Sequence, residues 1–289
     1  MMNKRFLPAL LFCTISSLCL LLEPAVAEEL SLVNRPVNTS GLTGLLFTTA
    51  PFTASPGTLE ISASILSENS TRPDYTNTEF PFTMTAGFGT NKEIAIRTSY
   101  FHIKEGPSTS TGIDRKTGNL ELSYKWNFLP QAEDSSIPGV ALMITGLAPT
   151  EKDPDSKIST ISHWGMRLGL AAGTELAWKE HILGIYADAQ LAGQDLTEKR
   201  LRDLYELYNA GLLFPVSKYD NLQMFVEYSL THGKTKTSLD GGDYSALTYG
   251  LRLVSERFNF TIGTQFLHKT AEEYDNSGRI VGLMSMKFM

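Results

Sequence analysis

From Gly57 to Met289 the chain repeats one pattern: a run with an apolar residue at every second position, then a polar connection, then another such run. The last third shows it most plainly. F-N-F-T-I-G-T-Q-F begins at Phe258, I-V-G-L-M-S-M-K-F begins at Ile280, and the second closes on the aromatic Phe288. A period of two is that of a β-strand whose side chains point alternately to opposite surroundings. Repeated this often, it predicts an all-β fold closed on itself. Alternation alone is silent on which face is inside, because a water-soluble barrel hides its apolar face and a transmembrane barrel turns it outward.

The first 27 residues tip the balance. Lys4 and Arg5 precede an apolar run from Phe6 to Leu22, Pro24 breaks it, and Ala25-Val26-Ala27 fits a small-x-small cleavage site before Glu28. Residues 1–27 are therefore expected to be a cleaved signal peptide. The residues before the two cysteines, Phe12 and Leu18, do not suit lipidation of Cys13 or Cys19. Both cysteines leave with the leader, so the exported chain has no disulfide and no thiolate metal site. With 25 basic against 31 acidic residues the chain is mildly acidic, a poor match for nucleic acid. No apolar run after Ala27 approaches the roughly 20 residues of a membrane helix, so a membrane is crossed by strands.

About twelve strands are expected, near 57–68, 80–89, 93–104, 117–128, 138–147, 161–172, 180–191, 204–216, 221–232, 244–255, 258–269 and 279–289. Short links (Thr90 to Lys92, Ser217 to Asp220, Glu256-Arg257) alternate with long polar ones: Asn69 to Glu79, Glu105 to Lys116, Ala148 to Thr160, Ala192 to Asp203, Gly233 to Asp243 and Thr270 to Gly278. Short turns on one side and long loops on the other are the habit of outer-membrane barrels, and an even count brings both ends to the short-turn side. The link Leu129 to Ile137 breaks the rule by being long where a short one is due. The faces separate cleanly over 80–89, 117–128 and 221–232; over 138–147 and 204–216 they do not. Aromatics near strand ends suit interfacial girdles: Phe88, Trp126, Phe128, Trp178, Phe258 and Phe288 at one rim, and Phe80, Tyr100, Trp164, Tyr228, Tyr244 and Phe266 at the other.

Several segments also recur in a known order. Pro56-Gly57-Thr58-Leu59-Glu60 opens the first strand. Gly87-Phe88-Gly89-Thr90-Asn91-Lys92-Glu93-Ile94 forms a Gly-rich hairpin, and Gly118 to Trp126 follows. Pro138 to Leu142, Leu147-Ala148-Pro149-Thr150, Phe225-Val226-Glu227-Tyr228 and the closing strand complete the set. Over 57–289 this resembles the outer-membrane barrel family of the MetA-pathway phenol-degradation type, a group regarded as transporters. It departs from that pattern at Asn119, where Asp is common. Gly41-Leu42-Thr43-Gly44-Leu45 is more similar to the opening of another barrel group, the exopolysaccharide-associated type. The resemblance implies import of aromatic compounds.

The charges expected to line the lumen are Glu60, Arg97, Glu121, Lys125, Arg167, Asp188, Glu227, Arg252 and Lys287, each placed opposite an apolar stripe. They allow two readings, a polar pore with opposed walls or a network of ion pairs filling a closed lumen. Residues 28–56 are expected to be a periplasmic tail or a plug, with Leu45, Leu46 and Phe47 as the plug's apolar cluster. The five histidines are scattered and show no metal-ligand spacing. Ser162-His163 cannot act as nucleophile and base from one strand, since neighbours point to opposite faces. Glu151 to Asp155 and Asp240-Gly241-Gly242-Asp243 read as solvated acidic loops.

The expectation is thus an all-β, transmembrane, antiparallel up-and-down barrel of about twelve strands (57–289) in a Gram-negative outer membrane. It would serve as a passive channel or transporter for small, apolar or aromatic molecules. The alternatives are a filled barrel with a structural or surface-interaction role and, more distantly, an outer-membrane lipid hydrolase. No cofactor, metal or catalytic residue is expected. The expected partners are outer-membrane lipid and lipopolysaccharide, the barrel-assembly machinery through the C-terminal strand ending at Phe288, and a small-molecule solute.

Overall fold

The alternating runs close into one wall. A computed structural model describes residues 35–71, 74–105, 112–132, 136–150, 164–178, 181–194, 203–216, 221–234, 242–269 and 276–289. The expected signal peptide (1–27), Glu151 to Asp155, Ser162-His163 and Asp240-Gly241 lie outside these residues. The strands are β1 (Leu59–Thr71), β2 (Asp74–Phe88), β3 (Lys92–Glu105), β4 (Gly112–Thr117), β5 (Leu120–Leu129), β6 (Gly139–Ala148), β7 (Gly165–Trp178), β8 (His181–Gln194), β9 (Asp203–Pro215), β10 (Leu222–His232), β11 (Tyr244–Val254), β12 (Phe258–Lys269) and β13 (Ser277–Phe288). Each pairs antiparallel with its chain neighbours, save that β4 and β5 both pair with β3, and β13 returns to β1, with Leu59 opposite Phe288. The ladders thus run in a closed ring, the arrangement a strand wall needs in lipid.

β4 and β5 are two parts of one stave, since both pair with β3, so the closed wall has twelve staves. Between them the register moves by one residue: Tyr100 faces Thr117, while Arg97 faces Glu121. This bulge falls at Gly118, where a Cβ would lie 2.8 Å from the buried Phe101 ring. A second irregularity lies on β1–β2, whose ladder has no pairing at Ser64-Ile65 and Phe80-Pro81. Pro81 has no N–H to give.

The two faces of the wall are inverted relative to a soluble barrel. Outside are Ile61, Phe82, Met84, Leu122, Leu170, Met224, Leu251, Ile262 and Met284, all exposed. Inside are buried hydroxyls (Ser62, Thr83, Thr85, Ser123, Thr145, Thr248, Thr261, Ser285) and buried charges. A continuous exposed apolar belt around a polar interior is stable only in lipid. Ile262→Arg, in the middle of β12, should therefore destabilise the inserted barrel by about 2–4 kcal/mol, and Met286→Arg, near the strand end, by about 1 kcal/mol or less. Denaturant titration in lipid vesicles checks this; equal, small losses at both positions would contradict the belt.

Four expectations need correction. Asn69 to Glu79 is not a loop, because β1 runs to Thr71 and β2 starts at Asp74. Beyond the lipid belt both faces are wet, so strands there lose the alternation that announces them. Much of Glu105 to Lys116 is likewise strand, as β4. The strand expected over 161–172 is β7, which continues to Trp178, so Glu175 lies in a stave rather than in a link. Among the girdle aromatics with described side chains, Tyr244 faces inward, on the same side of β11 as Ala246 and Thr248; the rest face outward.

Candidate functional site: the lumen and its N-terminal strap

Residues 35–56 fold on themselves as a compact strap that lies inside the barrel as far as Ala54, while Ser55 and Pro56 are exposed. Two single bridges, Val37 with Thr43 and Gly44 with Thr49, hold it. Asn38 Oδ1 organises its first turn by accepting from Ser40 N at 3.0 Å and Leu42 N at 3.1 Å. Gly41, with φ 87°, sits where a Cβ would come 3.1 Å from Thr83 Cβ and 3.2 Å from Ala95 Cβ.

The wall holds this strap mainly by its backbone. Glu227, fully buried on β10, accepts three consecutive strap amides: Leu46 N at 3.3 Å, Phe47 N at 3.0 Å and Thr48 N at 2.7 Å. Glu93 on β3 accepts Thr43 N at 2.9 Å, Thr43 Oγ1 at 2.6 Å and Ala54 N at 2.7 Å, and it pairs with Lys125 Nζ at 2.8 Å. Lys125 in turn donates to the carbonyls of Thr43 (3.1 Å) and Ala50 (3.0 Å). Asp188 accepts Thr49 N at 2.8 Å, and Glu60 accepts Val37 N at 3.3 Å. Arg252 Nη2 donates to Gly44 O at 2.9 Å, Arg97 Nε to Thr39 O at 3.0 Å and Lys287 Nζ to Arg35 O at 3.3 Å. The Thr85 hydroxyl donates to Gly41 O.

All nine charges singled out from the sequence thus stand on the inner face. Glu60, Arg97, Lys125, Asp188, Glu227, Arg252 and Lys287 contact the strap. Glu121 instead bridges Arg97, at 2.6 Å, and Arg167. These groups do not form bare opposed walls, because most of their hydrogen-bonding capacity is directed at the strap or at one another. Leu45 and Leu46 are buried among Leu66, Tyr186, Leu213, Phe225, Val281 and Leu283, with Phe47 packed on the margin. They anchor the strap to the wall rather than presenting a surface to the lumen. Leu42 packs with Ala95, Met143 and Ala171. These contacts explain why the faces of 138–147 and 204–216 were unreadable: Met143 on β6 and Leu213 on β9 are inward apolar residues that the strap covers.

Sequence reasoning missed Glu93, Glu175 and Arg35. Arg35 forks onto Glu175 at 2.9 and 2.8 Å and lies 3.9 Å over the Phe52 ring. Tyr186 donates to Glu175 at 2.7 Å. Gln131 clamps the Glu175 backbone, donating to its carbonyl at 2.9 Å and accepting its N–H at 2.8 Å. Gln131 sits in the oddly long link after β5, whose extra length lets it reach this mouth of the barrel. One signal could have located the strap: inward-facing glycines. A methyl on Gly87 would overlap the carbonyls of Ala54 and Ser55, and one on Gly173 would lie 3.1 Å from Pro51 Cδ. Gly211 and Gly263 make room for Leu45 and Leu46 in the same way.

Toward the long-loop end, a separate network centres on Glu68, which takes Lys269 at 3.0 Å, Arg279 at 2.7 Å, Tyr75 at 2.9 Å and Ser277 at 2.7 Å. Among the described residues, no group of His, Cys, Asp or Glu is arranged to hold a metal ion. Asp243 pairs with His232 at 3.2 Å on the outer surface.

No protein-family model matches the chain, and no curated protein matches it in sequence. Solved structures do match its fold. An outer membrane channel from Pseudomonas putida F1 superposes with a TM-score of 0.62 at 10% identity, covering 82% of this chain and 97% of that one. The KdgM porin gives 0.51 at 6% identity, covering 79% and 99%. The NanC porin gives 0.51 at 10% identity, covering 79% and 100%. At such identities the likeness is one of architecture: the fold is that of an outer-membrane β-barrel.

Proposed function

We propose that the protein is a channel of the bacterial outer membrane that passes small solutes passively and is restricted by its own N-terminal strap. The observation that carries this reading is the way the lumen is filled. It is closed by a separate segment held through exchangeable hydrogen bonds, on a polar wall notched with glycine to receive it, and not by the wall's own side chains meeting across the axis. The similarity of the fold to known channels and porins supports the same reading. The sequence resemblance to the phenol-degradation barrels favours an apolar or aromatic solute. The leader favours export, and the outward belt favours contact with lipid and lipopolysaccharide. The last strand, ending at Phe288 and closing on β1, is the expected handle for the assembly machinery. A permanently filled barrel with a structural or surface role is the second reading, favoured by the complete burial of Glu93, Lys125 and Glu227 beneath the strap.

Single-channel recording of the refolded exported chain, Glu28 to Met289, in planar bilayers separates the two. The channel reading expects discrete, salt-dependent steps. Silence from protein shown to be folded and inserted, with or without the strap, would leave the filled barrel.

A further inference from the structure

The outward face of β2, β3 and β4 changes character above the lipid belt. Phe80 and Tyr100 stand opposite each other in the β2–β3 ladder, with ring centroids 6.5 Å apart, and end its apolar part. One pleat higher on the same face are His102 and, opposite it on β4, Arg115, both exposed. One pleat higher again is Lys104. Thr78 and Thr76 face His102 and Lys104 from β2. The acids adjoining these residues in sequence, Glu105 and Asp114, take the alternate positions, opposite Tyr75 and Ile103.

Like charges side by side on a sheet repel unless something shared neutralises them. Among the described residues, no hydrogen bond or ion pair ties Lys104, Arg115 or the His102 ring to an acid. The carboxylate on this face, Asp74, stands beyond Thr76 at the hairpin tip, opposite Thr71. Across the barrel the rim is balanced instead: Glu206 stands opposite His232, which pairs with Asp243. Height also selects the partner. Two residues along a strand advance about 7 Å, which carries His102 and Arg115 from the edge of the hydrocarbon into the headgroup layer, roughly 5–8 Å deep. We infer that this sector docks a phosphorylated glycolipid of the outer leaflet. The Arg115 fork and Lys104 hold a phosphate, and the His102 N–H and the two threonine hydroxyls hold sugar oxygens. The acyl chains lie along Tyr100, Phe82 and Ile96, exposed on the same face below. Free phosphate would satisfy the cations alone; the apolar face running on beneath them commits the site to a lipid. The site rests on the outer-membrane placement of the barrel and not on whether its lumen conducts.

Native mass spectrometry of the folded exported chain in detergent, titrated with lipid A carrying both phosphates, tests it. One molecule should bind saturably per barrel. Dephosphorylated lipid A should bind weaker by about tenfold or more, and Lys104→Gln and Arg115→Gln should each weaken the phosphorylated probe by about tenfold. Both residues lie on the outer surface, and either variant alone suffices should the other fail to fold. Lys92→Gln removes a cation from the other end of β3 and should bind as the wild type does. Equal binding of the two probes, or wild-type affinity in either folded variant of Lys104 or Arg115, overturns the site. Displacement of the lipid by millimolar inorganic phosphate would mark a free-phosphate site and overturns the lipid assignment. A barrel that conducts in bilayers and takes no lipid A overturns this site alone; a silent barrel that takes it leaves the site standing without the channel.

Discussion

Deleting residues 28–56 should open the barrel and raise its single-channel conductance many-fold. The wall does not need the strap to close, since all twelve staves are joined by their own ladders, from β2–β3 round to β1–β13. The groups uncovered by the deletion meet water entering the lumen, not a dry void, so Glu93, Lys125, Asp188, Glu227 and Arg252 are rehydrated and not stranded. The carboxylates released outnumber the cations: Glu60, Glu93, Glu175, Asp188 and Glu227 against Arg97, Lys125, Arg252 and Lys287. The opened pore should therefore favour cations, as fields in an acid-lined channel do. Reversal potentials across a salt gradient measure this. A folded deletion variant with wild-type conductance would show that something other than the strap restricts the lumen.

The second large effect is expected at one carboxylate. Glu227→Leu removes the acceptor of three adjacent strap amides, each worth about 1–3 kcal/mol when left buried and unpaired. The strap can escape that penalty by leaving the wall, so the loss should appear as undocking and not as collapse of the barrel. Amide exchange at Leu46, Phe47 and Thr48 should accelerate on the order of a hundredfold, which corresponds to about 2.7 kcal/mol. The β1–β13 ladder should exchange as in the wild type. Glu227→Gln keeps one carbonyl oxygen and should fall between the two. Unaltered exchange in Glu227→Leu would mean that the three hydrogen bonds do not hold the strap down.

How much of this was legible in the sequence follows from what each part must satisfy. The wall was legible because lipid outside and polar groups inside impose a strict period of two on every stave, and the twelve runs survive as that period. It faded where the constraint relaxed. Above the belt, Asn69 to Glu79 is polar on both faces and read as a loop. Beneath the strap, Met143 and Leu213 are apolar on the inner face, which erased the contrast. Inward charges such as Arg97, Glu121 and Glu227 stood out against apolar stripes. Glu93 and Glu175 did not, because each fell at the margin of a segment, one at a strand start and the other in a supposed link. The docking of 35–56 had little signature, because the wall grips mostly main-chain N–H and C=O groups, which every residue carries. Only the missing side chains opposite, at Gly87, Gly173, Gly211 and Gly263, record that another piece of chain passes there.

The seat of the strap is assembled from distant parts of the chain. Arg35 O is held by Lys287, 252 residues away in sequence, while Val37, Thr43 and Gly44 are held from β1, β3, β5 and β11. The strap, though it precedes every stave in the chain, is thus the last segment that can reach its place, since its seat does not exist until the final strand has joined the first. Loops of that length close slowly. A stave paired one residue out of register would turn its inner charges outward and deprive the strap of those contacts. Capture of the strap therefore acts as an inspection of the finished barrel, passed only when β13 has met β1 in the correct alignment.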